Sequence, residues 1–323
     1  MAISPDALIE LYRSLLRIRR IEEVLAERYQ EQEMRCPMHL CIGQEAVPVG
    51  VCQALRVSDS VYSNHRAHGH YLAKGGDLNR LVAELYGAST GCAGGFGGSM
   101  HLIDTQAGFM GCTPIVGGTI PLAVGAAWAN ILKKDDNVSV AFFGDGGFEE
   151  GVTHECLNFA ALKKLPVLFV CENNNYSVFT PLKERQPDRP MHEVAKAHRW
   201  TTWVGNGNDA VQVHEMAKKA VSLARKKEGP QFLEFSTYRW REHCGPNYDD
   251  HLSYRDEAEL RYWKEQCPLL MLGRRLTEEK GLSGLELKQM EDQVKKEIEA
   301  AFQFARSSPK PLLTDLSAKV YAD

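Results

Sequence analysis

Gly144-Asp145-Gly146-Gly147 stands directly after the apolar run VSVAFF (138–143) and directly before a segment with helical patterning. An unbroken apolar run of that length reads as a strand buried on both faces of a parallel sheet. In such sheets, ligands bind beyond the carboxyl ends of the strands. Glycines there let backbone amides face a phosphate at a helix start, and Asp145 offers the hard carboxylate oxygen that Mg²⁺ takes. Alone, the motif is also that of many ordinary turns. The next apolar run, VLFVC (167–171), ends in Glu172-Asn173-Asn174-Asn175-Tyr176. Strands joined by a crossover helix often lie side by side, which would set Asn174 beside Asp145 at one sheet edge. A carboxylate, an amide oxygen and a backbone carbonyl make a protein set for Mg²⁺, with water and diphosphate oxygens completing the octahedron.

The elements that must position these groups follow from patterning. Ser4-Pro5-Asp6 reads as a helix start, with a capping Ser, Pro in the first turn and an acid suited to the dipole. Residues 1–30 then form an amphipathic helix. Residues 36–76 hold short elements dense in His, Arg and Cys, and a short helix is expected from Asp77 to Tyr86. Ten glycines lie between 87 and 118. That density suits backbone approaching a ligand closely; the embedded Met100-His101-Leu102-Ile103 and Ile115-Val116 argue for an ordered segment rather than a flexible loop. A small-residue helix spans 119–132, and a helix spans Glu149–Lys163 with His154, Leu157, Phe159 and Leu162 as candidate inner positions. TTWV (201–204) and Gln231–Tyr238 are further strands, separated by a helix from Asp209 to Arg225. This alternation indicates a parallel sheet covered on both faces. Beyond 254 the chain is charged and helical, and Leu287, Met290, Val294, Ile298 and Phe302 form a packing stripe. Residues 309–323 read as a short arm.

The chain has 323 residues and a formal net charge of −4, with 44% apolar and 25% charged residues. That is the composition of a folded soluble protein, with no charge excess that would call for nucleic acid or an anionic membrane. No apolar run approaches the ~20 residues that span a bilayer. Asp6, Glu10, Glu22 and Glu23 interrupt any leader-like core, so neither a signal nor a transit peptide is expected. Nine cysteines without a CxxC pair read as reduced, mostly buried thiols in a cytoplasmic protein.

The order GDG, helix, apolar strand, NN, with Asn174 twenty-nine positions after Asp145, is similar to the thiamine-diphosphate-binding motif. IGQEA (42–46), HRAHGH (65–70), GGSMH (97–101), PIVGG (114–118), ENNNY (172–176) and TYRWREH (237–243) occur in order around it. From about residue 10 to 305 the chain resembles the α subunit of two-chain thiamine-diphosphate 2-oxo acid dehydrogenases, the E1 component. HRAHGHYLAKG and GGSMHLID look closest to the pyruvate and acetoin branches.

The resemblance implies a doubly wound, mostly parallel α/β thiamine-diphosphate-binding fold. Residues 1–275 would form the diphosphate-binding domain with its N-terminal helical arm, and 276–323 a helical extension packed on it. It implies that Asp145, the Asn174 side chain and the Tyr176 carbonyl hold Mg²⁺, and that Gly144, Gly146 and Gly147 lie at the diphosphate. Arg66 would pair with phosphate oxygens, and His65 stands where many relatives carry a diphosphate-binding Tyr. PIVGG resembles the segment whose backbone hydrogen-bonds the aminopyrimidine, and Ile115 and Val116 would form a V-shaped pocket with the partner chain, unless the segment is simply a glycine-flanked apolar turn. His39 resembles the histidine near the bound 2-oxo acid, unless it is a satisfied core histidine, and His243 the active-site-loop histidine. His68 and His101 are equally readable as structural. The glutamate that activates the cofactor comes from the β subunit in this family, so an α2β2 heterotetramer is implied, with this chain inactive alone.

Several positions depart from the family pattern. Phe148-Glu149-Glu150 follows GDGG, and both acids are expected to point away from a diphosphate. Pro114, Ser177-Val178-Phe179, Glu242 and Cys244 are also unusual, which leaves the substrate open. The first functional expectation is a 2-oxo acid or acetoin dehydrogenase α subunit passing an acyl group to lipoamide of an acyltransferase, E2. The second is a two-subunit carboligase or ketol transferase acting on a modified or sugar-derived substrate. A third, a binding subunit without cofactor chemistry, is disfavoured by intact Asp145, Asn174 and Arg66.

Overall fold

The computed structural model describes residues 3–280, 282–312 and 314–315. Helix α1 (Pro5–Arg28) begins at the expected cap, where the Ser4 hydroxyl accepts from the Ala7 amide at 3.3 Å. There follow α2 (Ala46–Cys52), strand β1 (Ser60–Ser63), α3 (His68–Ala73), α4 (Leu78–Leu85), β2 (Phe109–Cys112) and α5 (Ile120–Lys133). Strand β3 (Ser139–Gly144) leads into a single turn, α6 (Asp145–Phe148), then α7 (Gly151–Lys163) and β4 (Val167–Asn173). A small hairpin, β5 (Tyr176–Ser177) and β6 (Thr180–Pro181), carries α8 (Leu182–Arg185) and precedes α9 (Met191–Ala197). Strand β7 (Thr201–Asn206), α10 (Ala210–Arg225) and β8 (Gln231–Ser236) complete the sheet. Helices α11 (Glu257–Glu265), α12 (Pro268–Lys280) and α13 (Gly284–Ser307) follow it.

The six long-range strands form one parallel sheet in the order β2-β1-β3-β4-β8-β7. β3 and β4 are neighbours, with Gly144 opposite Glu172, so the two chemistry-bearing motifs do share one edge. The winding reverses between β1 and β3, which is where such sheets open a ligand crevice. One core packs α1, α2, α10 and α13 over one face; the other packs α5, α7 and α9 around Phe143, Phe169 and Trp200. The stripe on α13 is buried as its spacing requires, with Met290, Val294, Ile298 and Phe302 all inward.

Three expectations are corrected. β1 and β2 were not read as strands, β1 lying among the unassigned short elements of 36–76 and β2 in the glycine-rich segment; at four residues each, SVYS and FMGC carry too little pattern to announce a strand. The inner face of α7 is Thr153, Cys156, Leu157 and Ala160, while Leu162 is 72% exposed and His154 and Phe159 are half-buried. That helix starts at Gly151 rather than Glu149, because the chain turns between α6 and α7. The expected terminal arm falls partly outside the described residues, which end at 315 and omit 313; within it, the Pro309 carbonyl accepts from the Ser89 amide at 2.9 Å. All nine cysteines are free thiols. Among the described residues no helix is long and apolar enough to cross a membrane.

The glycine-rich segment is ordered by one buried carboxylate. Glu84 accepts from the amides of Ala93, Gly95, Gly97 and Gly98 at 2.7–3.0 Å. A second buried acid fixes the IGQEA turn. Glu45 pairs with Arg19 of α1, both nearly inaccessible, and accepts from the Gly43 amide at 3.1 Å. Gly43 has φ +99°, and a Cβ there would lie 2.5 Å from the Tyr238 carbonyl, so the turn tolerates only glycine. Arg19→Met leaves Glu45 charged and without its cation in the interior. We expect a loss of about 3–5 kcal/mol in urea denaturation; a change below about 1 kcal/mol would show that the pair does not hold this turn.

Candidate active site

A cleft of about 240 Å³ opens at the carboxyl ends of β1, β3 and β4, walled also by the 39–44 turn, the 114–117 turn and the loop at His243. His39, His65, Arg66, Val116, Gly144, Asp145, Gly146, Gly147, Asn174, Tyr176 and His243 all line it. Ile115 does not; its side chain is 69% exposed on the adjoining outer surface. His68 is held in the core between Glu22 and Ser99, at 3.2 and 2.7 Å. His101 is exposed, 2.9 Å from the Gly97 carbonyl. A broader groove of about 1150 Å³ lies beside β6 and α9, but acids in its wall are already engaged, Glu259 by Tyr176 Oη at 2.7 Å and Glu234 by His192 at 2.7 Å.

Arg66 follows β1 on a turn closed by its own amide donating to Asn64 Oδ1 at 2.8 Å. Its guanidinium is buried and donates only to carbonyls, those of Leu40 and, at 3.2 Å, His243. Among the described residues no carboxylate lies within ion-pair distance of it. Burial first, then Arg239, pushes its pKa down to about 10, so it is still a cation at neutral pH.

Three histidine rings gather beside this cation. Centroids of His39 and His65 are 4.6 Å apart, His39 and His243 5.0 Å, and His65 and His243 5.3 Å. Burial and then Arg66 push His39 down to about 2, and His65 and His243 to about 3. All three are therefore neutral at physiological pH. Their nitrogens lie within 4.8 Å of one another, as a metal site would require. A dication there would face the buried Arg66, however, and the local charge favours an anion. His39 Nδ1 is buried without a hydrogen-bond partner, a donor or acceptor aimed at nothing in the chain itself.

On the opposite wall Asp145 is 1% exposed at the first residue of α6. Burial raises its pKa and Arg185 opposes the rise. Asn174 is oriented by Gln44, whose Oε1 accepts from Nδ2 at 3.0 Å, leaving Oδ1 on the side of the Tyr176 amide at 3.2 Å. The Tyr176 ring is tied away from the cleft to Glu259, so its backbone, not its phenol, belongs to the site. The Arg185 guanidinium bridges Asp145 and Glu149. Glu149 is not among the residues lining the cleft, and its charge is shared with Arg185. Glu150 packs against Gly117.

Two of these residues were not singled out from sequence. Gln44 was visible only as a letter inside IGQEA, and its contact to Asn174 spans 130 positions. Arg185 lies in the charged stretch LKERQPDR, where nothing marks one arginine from the next.

The model of the "Dehydrogenase E1 component" family matches residues 13–314. The pyruvate dehydrogenase E1 component subunit alpha-3 of Arabidopsis thaliana chloroplasts is 37% identical over all of this chain and 76% of its own length. The alpha subunit of acetoin:2,6-dichlorophenolindophenol oxidoreductase from Bacillus subtilis is 36% identical over 99% of this chain and 95% of its own. The pyruvate dehydrogenase E1 component subunit alpha of Zymomonas mobilis is 37% identical over 98% and 88%. With a family match of that extent and relatives this similar along nearly the whole of this chain, the chain belongs to the dehydrogenase E1 component family, as an α-type subunit of a thiamine-diphosphate-dependent oxidoreductase.

Proposed function

We propose that this chain binds the Mg²⁺–diphosphate half of thiamine diphosphate in a two-subunit dehydrogenase acting on pyruvate, a related 2-oxo acid or acetoin. The observation that carries this is Arg66, a buried guanidinium in the wall of a cleft, with no carboxylate in ion-pair reach among the described residues, facing a far wall with a buried carboxylate and an oriented amide oxygen. An anion suits the first wall and a hard dication the second; a metal-bound diphosphate brings both. Asp145, Asn174 Oδ1 and the Tyr176 carbonyl would hold the metal, and Arg66, His65 and the amides of Gly146 and Gly147 the phosphates.

When bound, thiamine diphosphate supplies a carbon nucleophile and an electron sink for cleaving the bond beside a carbonyl. The chain's residues then bind, orient and exclude water. Pro114, Val116 and Gly117 close one side of the cleft. His39 and His243, both neutral, can take or give a proton near the reacting carbonyl, because an incoming anion beside Arg66 would raise their pKa towards the working range.

The remaining half of the site belongs to a β subunit in an α2β2 assembly. Ile115 and Val116, and Leu122, Trp128 and Leu132 along α5, are exposed apolar side chains, with the small residues Gly125, Ala126 and Ala129 on the same helix. Such a face calls for a packed neighbour. Transfer to lipoamide of an E2 acyltransferase and residence in a reducing, cytoplasmic compartment complete the proposal; nine free thiols support the latter.

Reconstituted with its β partner, Mg²⁺ and thiamine diphosphate, the chain should reduce an artificial electron acceptor with pyruvate, a branched 2-oxo acid or acetoin. No reduction, with cofactor bound, would move the assignment to group transfer onto an aldehyde. Asp145→Ala should abolish Mg²⁺-dependent cofactor binding in calorimetry, and unchanged binding would refute the metal role. The histidines set a pH dependence. Their folded pKa values lie below the ordinary value of about 6.5, so between about pH 3 and 6.5 the unfolded chain binds more protons and stability falls as pH falls. The melting temperature should therefore drop from about pH 7 to about pH 5, and drop less in His65→Gln or with thiamine diphosphate and Mg²⁺ bound. An equal drop in all three would contradict the neutral cluster.

A further inference from the structure

We propose that Arg185 is a built-in counter-cation for Asp145, holding that carboxylate before a metal arrives and withdrawing onto Glu149 when Mg²⁺ takes its place. The inference rests on the metal role assigned above to Asp145.

Asp145 is almost fully buried, and a carboxylate so placed needs a cation. The cation present is Arg185, itself with only 11% of its side chain exposed, reaching Asp145 through Nη2 and Glu149 through Nη1. Its Nε donates to the Thr180 carbonyl at 3.0 Å, so the guanidinium is fixed to the β5–β6 hairpin independently of either acid. That hairpin starts at Tyr176, two positions after Asn174. One segment, 174–185, therefore carries two of the three expected metal ligands and the group that covers the third.

Glu149 explains how the exchange can occur. Two carboxylates share one guanidinium, which leaves a net negative charge and makes the position attractive to a dication. A metal on Asp145 repels the adjacent guanidinium. Arg185 then gives up Asp145 and keeps Glu149; because the guanidinium is planar and rigid, the side chain turns as Nη2 leaves and its Nε releases the Thr180 carbonyl, with no movement of the backbone. This gives a use to an acid placed four positions after Asp145. It also makes Arg185 a positioning residue: it sets the metal affinity and keeps the site formed in the cofactor-free state.

The test is Mn²⁺ uptake, followed by loss of the free-ion EPR signal, on the α–β complex with thiamine diphosphate present. Arg185→Gln should tighten Mn²⁺ binding about tenfold by removing a competing charge, and Glu149→Gln should weaken it by a similar factor, because the guanidinium then has only Asp145 to hold. The rise in melting temperature on adding Mn²⁺ and thiamine diphosphate should be larger in Arg185→Gln than in the unaltered complex. Weaker or unchanged binding in Arg185→Gln would overturn the proposal, and weaker binding restored by Arg185→Lys would make Arg185 a phosphate ligand instead. An unaltered complex that takes up no Mn²⁺ would overturn the metal site itself, and this proposal with it.

Discussion

Arg66 is a buried positive charge with no carboxylate within ion-pair distance among the described residues, and the site is arranged around that constraint. Its hydrogen bonds go to the carbonyls of Leu40 and His243, so the 39–44 turn and the 243 loop are drawn to the end of β1. Burial, and then the same charge, keep His39, His65 and His243 neutral, which allows three imidazoles to pack within about 5 Å of one another without repulsion. A buried cation left in this way costs folding free energy. The enclosing structure tolerates it because Arg66 sits at the switch point of a sheet whose core lies elsewhere, in the two apolar layers on either face. The stability forgone is recovered when an anion binds, which is the thermodynamic form of a preorganised site.

The opposite wall obeys the mirror-image rule. Asp145 and Glu149 are acids brought close together, and the chain supplies Arg185 as their cation. The cleft thus has a cationic wall without an anion and an anionic wall with a replaceable cation. A metal-complexed diphosphate satisfies both at once, whereas a simple anion or a simple dication satisfies one. Gln44, in the cleft wall, turns Asn174, and behind the walls stand Glu259 holding the Tyr176 ring and Arg19–Glu45 fixing the turn that presents Gln44.

What could be read from sequence was local and periodic. The GDG turn after a wholly apolar run, the next apolar run ending in Asn174, and the stripe on α13 each depend on neighbours in the chain, and each stands where its pattern placed it. Adjacency of β3 and β4 followed from topology rules alone. β1 and β2 were missed because four residues do not establish a period, although β1 delivers Arg66. Leu162 was misjudged because its step from Ala160 turns it about 200° away from the inner face of α7. Arg185 and Gln44 act through contacts across 40 and 130 positions, respectively, and no local signal reports such pairings.

The central claim is that Arg66 is held at a cost for the sake of an anion. Replacing it by Met, similar in length and uncharged, and melting the α–β complex with and without thiamine diphosphate and Mg²⁺ tests this directly. The account predicts that the cofactor-free variant melts at or above the unaltered complex, and that the rise on adding cofactor disappears. A cofactor-free variant that melts well below it, with the cofactor-induced rise retained, would mean that Arg66 is a structural cation and that the diphosphate lies elsewhere.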